Sequence, residues 1–316
     1  ANADPDFSTV KQPNPEEDEA YEMALKQAAE NNNKADLIFS TDPDCDRLGI
    51  LAKHEGEYRS LNGNELGILL GDYLLNKLKE NDELPEKGVI IKTIVTTEMI
   101  RKIAAEYNVE VMDVLTGFKF IGEKMTEFEN DKREFIFGFE ESYGYLAGTY
   151  ARDKDAVIAS ALAAVMTLYY KEQGKTLYDR LAELRKKYGY YMEDLKAIKM
   201  EGKVGQEKIN GAIENLRQEK AKELLGKKVV KFKDYLKKKS WNYKDGSEKE
   251  LELPESNVLQ YVLEDETLIT VRPSGTEPKL KLYFAIRAED KDKAETKLKE
   301  AVKGFTSKVK EIIKKL

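Results

Sequence analysis

Cysteine is nearly missing from this sequence: Cys45 is the only one in 316 residues. An intrachain disulfide and a cysteine-built zinc cluster are both excluded, and such usage fits a reducing cytoplasm. Proline and glycine, at 8 and 20 residues, are too sparse for a disordered or fibrous chain. No apolar run approaches the roughly 18 residues that span a bilayer, so no membrane partner is expected. The first six residues are polar and acidic and lack a signal peptide's basic and apolar regions; without a methionine, they read as an opening inside a longer phrase. A basic stripe interleaved with aromatics is also missing. With a net charge of -6 and a pI near 5.4, nucleic acid is not an expected partner. Lysines 237, 238 and 239 read as a solvated face.

What is present suffices for ordinary cores. Hydrophobic residues make up 41% and charged residues 35%, and the length suggests two or more domains at ~150 residues each. Residues 16–33 read as a helix, with Ala20, Met23, Ala24 and Ala28 recurring on one face. Residues 36–40 and 48–52 read as short buried strands around a tight acidic loop. Further on, 65–78, 98–107 and 155–170 have helical spacing, while 89–95, 109–115 and 135–139 read as strands. This alternation predicts an α/β fold, with mixed-sheet α/β layers and largely parallel or mixed pairing. Past residue 188 the rhythm changes to charged helices at 203–222 and 291–315 beside strands at 268–272 and 279–286. The expected organisation is an incomplete α/β piece at 1–57, an α/β domain at 58–187 and a smaller α+β domain at 188–316. No solenoid repeat is visible.

Asp42-Pro43-Asp44-Cys45-Asp46-Arg47 sets three carboxylates at alternate positions just after a strand. Hard divalent cations take oxygen ligands, and alternation in a tight loop, stiffened by Pro43, can turn all three inward. An EF-hand is excluded, because its sixth and twelfth positions would be Arg47 and Lys53 rather than glycine and glutamate. The rivals are a solvated acidic turn and an Asp-x-Asp nucleophile of a phosphatase.

Arg272-Pro273-Ser274-Gly275-Thr276-Glu277-Pro278-Lys279 packs a guanidinium, two hydroxyls, a glycine backbone and an ammonium into eight residues between two strands. Arg presents a planar fork to phosphate oxygens, and hydroxyls and exposed N–H groups add donors. The spacing is not that of a P-loop. Gly138 to Tyr145 offers Glu140, Glu141, Ser142 and tyrosines, groups suited to sugar hydroxyls and rings, although a plain loop fits equally. Arg152-Asp153-Lys154-Asp155 opens a helix, with Asp153 or Asp155 as its cap. Lys119 follows Thr116-Gly117-Phe118, where a desolvated lysine would serve as acid or base; the residues alone favour a surface lysine.

In combination and in order, these loops resemble the α-D-phosphohexomutase family of phosphoglucomutases and phosphomannomutases. The resemblance covers essentially the whole chain, and the Arg272–Lys279 match is its most specific part. It implies Mg2+ held by Asp42, Asp44 and Asp46, with Arg47 beside the phosphoserine. It further implies Glu140, Ser142 and Arg152 on the sugar, and Lys119 as general acid/base. Arg272, Ser274, Gly275, Thr276 and Lys279 would hold the phosphate not being transferred. The expected ligands are a phosphosugar and a sugar bisphosphate intermediate, with phosphoglucomutase first among the activities. Glucose, mannose and pentose phosphates are not separated by these residues.

One departure is decisive. His54 is the single histidine and follows Lys53, so the family's Ser-His-Asn-Pro phosphoserine motif does not occur in this sequence. The expectation is a mutase fragment, inactive alone, with an interrupted sheet whose open edge invites self-association. The competing reading is a non-catalytic phosphosugar-binding or regulatory protein.

Overall fold

The computed structural model describes Asp4, residues 7–275 and residues 277–316. The chain forms two compact units, Ala1–Tyr188 and Gly189–Leu316.

The first unit opens with a 3-10 turn, Asp18–Tyr21, and α1 (Glu22–Glu30). This is shorter than the helix expected at 16–33. Tyr21 is buried, and its hydroxyl donates to the Pro15 carbonyl at 2.9 Å, which ties the entry of the helix back on itself. Strands β1 (Leu37–Thr41), β2 (Leu48–His54) and β3 (Glu57–Leu61) form an antiparallel sheet in that order. Ile38 and Leu51 pack on Tyr21 and Ala28. β1 is not the buried strand expected at 36–40: it lies at the sheet's edge, and Phe39 is 39% exposed.

α2 (Gly63–Glu80) follows directly, started by a capping box. The Asn62 side chain accepts the Glu65 N–H at 2.9 Å, and Glu65 accepts the Asn62 N–H at 3.0 Å, pairing donors the helix cannot satisfy itself. The chain continues through β4 (Gly88–Thr93), α3 (Met99–Ala105), β5 (Glu110–Val114), α4 (Phe118–Phe128), β6 (Glu134–Phe139) and β7 (Tyr145–Ala147). Their sheet runs β5-β4-β6-β7; β4 is parallel to both β5 and β6, and β7 is antiparallel. β4 is buried along its whole length, as a central parallel strand covered on both faces must be. α5 (Ala156–Glu172) and α6 (Leu177–Tyr188) complete the unit. The Asp155 side chain caps α5 by accepting from Val157 and Ile158.

The second unit comprises β8 (Tyr190–Lys199), α7 (Gly202–Glu219), β9 (Glu223–Leu224), β10 (Lys227–Asp234), β11 (Lys239–Asn242), β12 (Glu248–Glu250), β13 (Leu259–Leu263), β14 (Leu268–Pro273), β15 (Lys279–Ala288) and α8 (Lys291–Lys315). Its antiparallel sheet runs β12-β11-β10-β13-β14-β15-β8, with β9 on β10. One face packs Ile269, Val271, Leu280, Leu282 and Phe284 against Ile213 and Leu216 of α7 and Phe305 and Val309 of α8. Sheet on one side and helices on the other make this an α+β unit. Among the described residues, no helix is long and apolar enough to cross a membrane.

Candidate active site

The acidic loop leaves β1 and returns into β2. Asp42 shapes it: its Oδ1 accepts the N–H groups of Asp46 and Arg47, both at 3.1 Å, and its carbonyl accepts from Cys45 at 3.0 Å. Cys45 takes a left-handed conformation, φ 56°. This fold-back gathers one oxygen from each of Asp42, Asp44 and Asp46 within 4.8 Å of one another. Asp46 Oδ1 is buried without a hydrogen-bond partner, with the Arg47 Nε at 4.0 Å. An orphaned, desolvated carboxylate oxygen inside a three-carboxylate cradle is a cost that a bound divalent cation offsets. The residues present fit such an ion.

Two cations accompany the loop. The Lys154 ammonium lies 2.7 Å from Asp46 Oδ2. The Arg47 guanidinium bonds Glu16 at 3.0 Å and stands 3.8 Å from Asp42.

Backbone bonds fix the second loop, Glu140 to Gly144, to the first. Leu48 donates to the Tyr143 carbonyl at 2.9 Å, and Arg47 bridges to Gly144. Ala156, at the start of α5, donates to the Cys45 carbonyl at 3.1 Å. Gly63 lets α2 approach: a Cβ there would overlap the Glu141 carbonyl. The acidic loop, the Glu140–Gly144 loop and the first turn of α5 are thus one connected structure.

Within it Glu140 is 6% exposed, and its Oε1 accepts the Gly117 N–H at 2.8 Å. Gly117 can present that N–H because it adopts φ 118°, where a side chain would be strained. Burial, reinforced by Glu141, pushes the Glu140 carboxyl up to about 7, against the weaker pull of Lys154 and Arg47. Its neighbour Glu141 is held by the Thr93 and Thr96 hydroxyls, each at 3.1 Å. Beneath them, fully buried Lys92 donates to the carbonyls of Thr93 and Thr96 and pairs with Glu98 at 2.7 Å and Asp113 at 3.0 Å. Lys92 and Arg101 draw the Glu98 carboxyl down to about 2 despite its burial.

The other expected residues are placed as follows. Ser142 is half-buried in the same loop as Glu140. Arg152 pairs with Glu129 at 2.5 Å and donates to the Thr149 and Ala151 carbonyls. Lys119 is exposed at the start of α4, its ammonium 4.8 Å from the Phe120 ring centroid. In the second unit, Arg272 is the penultimate residue of β14 and Lys279 begins β15. Ser274 donates to the Lys279 carbonyl at 2.7 Å, and the Lys279 ammonium pairs with Glu277. Gly275 is exposed at the tip, and Thr276 lies outside the described residues. Lys154, Thr93, Thr96 and Lys92 were not singled out by sequence reasoning. For Lys154, its place one residue before the α5 cap was the available signal.

Solved structures share this architecture. The exocytosis-sensitive phosphoprotein pp63/parafusin of Paramecium, a phosphoglucomutase, superposes with TM-score 0.63 at 18% identity, over 96% of this chain and 50% of that one. A phosphoglucomutase/phosphomannomutase family protein from Burkholderia thailandensis gives 0.58 at 16%, over 94% and 52%. The fold is therefore of the phosphohexomutase type.

Family models for phosphoglucomutase/phosphomannomutase match alpha/beta/alpha domain II over residues 1–56, alpha/beta/alpha domain III over 62–188 and the C-terminal domain over 208–304. The phosphoglucomutase of Staphylococcus haemolyticus is 40% identical over 289 residues, which is 91% of this chain and 51% of that protein. That of Staphylococcus aureus strain MRSA252 is 38% identical over 296 residues, 93% and 52%. The chain belongs to the α-D-phosphohexomutase family, and it spans about half the length of the curated relatives it matches.

Proposed function

We propose that this chain is the metal-holding and substrate-binding portion of a phosphosugar mutase. The reaction would interconvert a hexose 1-phosphate and 6-phosphate, or a pentose 1-phosphate and 5-phosphate, through a sugar bisphosphate. Phosphoglucomutase activity is favoured by the relatives named above. The observation that carries the reading is the Asp42-Asp44-Asp46 cradle with its orphaned Asp46 oxygen, joined by backbone bonds to the Glu140–Gly144 loop.

Asp42, Asp44 and Asp46 would hold Mg2+. Bound there, the ion supplies a Lewis acid that neutralises charge on a transferring phosphoryl group. Glu140 and Ser142 would meet the sugar hydroxyls; near neutral pH Glu140 both accepts and donates hydrogen bonds, since its proton is held up to about pH 7. Lys119 would serve in proton transfer and Arg47 in charge stabilisation, and Lys154 touches the cradle directly. In the second unit Arg272, Ser274, Gly275, Thr276 and Lys279 would bind a phosphate, and Arg152 is retained as a sugar contact.

The Ser-His-Asn-Pro motif is not in this sequence. We therefore assign the phosphoryl carrier to polypeptide outside this chain, expect no turnover from it alone, and divide its domains at 57/58 and 187/188. A cytoplasmic setting fits the free, exposed thiol of Cys45. Self-association through the open β1 edge is part of the same reading.

The test is calorimetric titration with Mg2+, glucose 1-phosphate and glucose 1,6-bisphosphate, beside a coupled mutase assay. Sugar-phosphate binding lost in Arg272→Ala, with no turnover, supports the reading. Turnover by the isolated chain would overturn it, because another residue would then carry the phosphoryl group.

A further inference from the structure

α5 is apolar on two faces, and the fold uses one of them. Ala156, Ala159, Ala163, Met166 and Tyr170 recur at spacings of three and four residues and are buried, where the helix meets β7, α2 and α6. Val157, Ala161, Ala164 and Leu168 recur at the same spacings on the outer side, and all four are exposed. Val165 widens this outer stripe; Val157 is 66%, Val165 53% and Leu168 56% exposed. Residues three and four apart are neighbours on one helix face, so the stripe is continuous over about 16 Å.

An exposed helix face is ordinarily polar. Here no charged residue occurs from Ala156 to Tyr170. Ser160 and Thr167 turn their hydroxyls back onto the helix, donating to the Ala156 and Ala163 carbonyls at 2.7 Å each. Neither relieves the stripe's contact with water, and a contiguous apolar surface of this kind marks an interface.

The stripe is self-complementary under a two-fold axis. Val157 and Leu168 lie equally far from its midpoint, and so do Ala161 and Ala164. Laid antiparallel on a copy of itself, α5 sets Val157 against the partner's Leu168 and alanine against alanine in the centre, each contact occurring twice. Charge selects the same orientation. Asp153 precedes Val157 by four residues, Lys171 follows Leu168 by three, and both are exposed. Antiparallel pairing brings Asp153 toward the partner's Lys171 and opposes the two helix dipoles favourably. Parallel pairing would set aspartate near aspartate and lysine near lysine. Lys171 now holds Asp36 at 2.8 Å, in an exposed ion pair that exchanges at little cost.

We propose that the outer face of α5 is a two-fold interface with a second copy of this chain, the two helices packing antiparallel as a short coiled coil. The interface is separate from the open β1 edge and does not depend on the phosphosugar reading. Three helical turns bury less than a standard interface, so the dimer is weak, with a Kd on the order of 0.1 mM.

Sedimentation equilibrium of the full chain, loaded from about tenfold below that Kd to about fivefold above it, should pass from monomer to dimer. Leu168→Glu and Ala161→Glu should each weaken the dimer at least about tenfold, because a charge without a partner enters the seam. Both should melt as wild type at monomeric concentrations, since neither side chain is buried. Lys303→Gln on α8 changes the net charge equally and should leave the dimer intact. Asp153→Lys should weaken it about threefold, and adding Lys171→Asp to the same chain should restore it. A double variant no better than Asp153→Lys alone would refute the antiparallel pairing. A wild-type chain that stays monomeric throughout overturns the proposal and leaves the face to polypeptide of the kind by which its relatives exceed it in length. Association that survives Leu168→Glu and protects the β1 amides from hydrogen exchange would place self-association at the β1 edge instead. A monomer that binds phosphatidylcholine vesicles through Leu168 would assign the face to a lipid surface, and that too overturns the proposal.

Discussion

The Lys154 ammonium lies 2.7 Å from Asp46 Oδ2, on a carboxylate whose other oxygen is buried without a hydrogen-bond partner. Desolvation works against the charged Lys154, yet Asp46 and Asp153 outweigh it and raise its pKa. Without metal, the lysine therefore partly neutralises the cradle and competes with any cation that enters.

Lys154→Met should accordingly tighten Mg2+ binding by about fivefold at low salt, the scale of a partly exposed ion pair. Asp46→Asn should weaken it by at least about tenfold, since one of three anionic ligands is lost. Calorimetric titration with MgCl2 alone reads both. Unchanged affinity in Lys154→Met would mean that the ammonium swings clear of the cradle before the ion arrives.

Glu140 gives the first unit a definite pH signature. Its folded pKa of about 7 lies above the ordinary 4.5, so the folded state holds this proton more tightly than the unfolded chain. Ionised Glu140 is therefore a burden that is complete above pH 7, absent below pH 4.5, and grows as pH rises between them. The ceiling is roughly 3 kcal/mol. Glu140→Gln keeps an acceptor for the Gly117 N–H and removes the burden. The variant should melt higher than wild type at about pH 8 and level with it near about pH 4.5. Denaturation across that range decides it, and a parallel pH dependence in both proteins would refute the assignment.

Two loops of the candidate site stood out in the sequence because their chemistry is local. Alternate aspartates in a short turn need only the turn to converge, and the loop from Arg272 to Lys279 advertises its donors within eight residues. What was not legible depends on partners distant in sequence. Lys92 sits inside a buried parallel strand, and only the fold brings it to Glu98 and Asp113. Thr93 and Thr96 look like ordinary strand-end hydroxyls until Glu141 arrives from 48 and 45 residues away. The strands of the second unit were partly hidden for a related reason. Lys227–Asp234 alternates lysines with Val229 and Phe232, so it reads as charged although its inward face is core. β1 misled in the opposite direction, its apolar composition suggesting burial for a strand at a sheet edge.

Lys92 should be the most sensitive charge of the first unit. It is fully buried, and Lys92→Met leaves Glu98 and Asp113 facing Arg101 alone. Breaking a buried pair on one side costs about 3–5 kcal/mol, so urea unfolding should show a loss of that order. The depressed Glu98 carboxyl stabilises the fold above about pH 4.5, and that contribution is lost as pH falls toward about 2. Acid unfolding of Lys92→Met should therefore begin at higher pH than in wild type, and an unchanged acid midpoint would contradict the network.

Thr96→Val tests whether Glu141 anchors the Glu140–Gly144 loop. The substitution keeps the side chain's shape, removes a hydroxyl donor 3.1 Å from Glu141 Oε2, and takes away the oxygen that accepts the Glu141 N–H at 3.3 Å. Leaving a part-buried carboxylate short of a donor costs about 1–3 kcal/mol. Thr93 still donates to the same oxygen, so the lower part of that range is expected for Thr96→Val and the upper part for the double valine variant. Gly63→Ala reaches the same loop from the opposite side, because its Cβ would press on the Glu141 carbonyl. If Glu141 is the anchor, both changes should weaken glucose 1-phosphate binding while leaving Mg2+ binding close to wild type, since the Asp42 turn closes through its own bonds. Loss of Mg2+ affinity in step with sugar binding would instead show that the two loops move as a single body, with the Leu48–Tyr143 and Arg47–Gly144 bonds carrying the coupling.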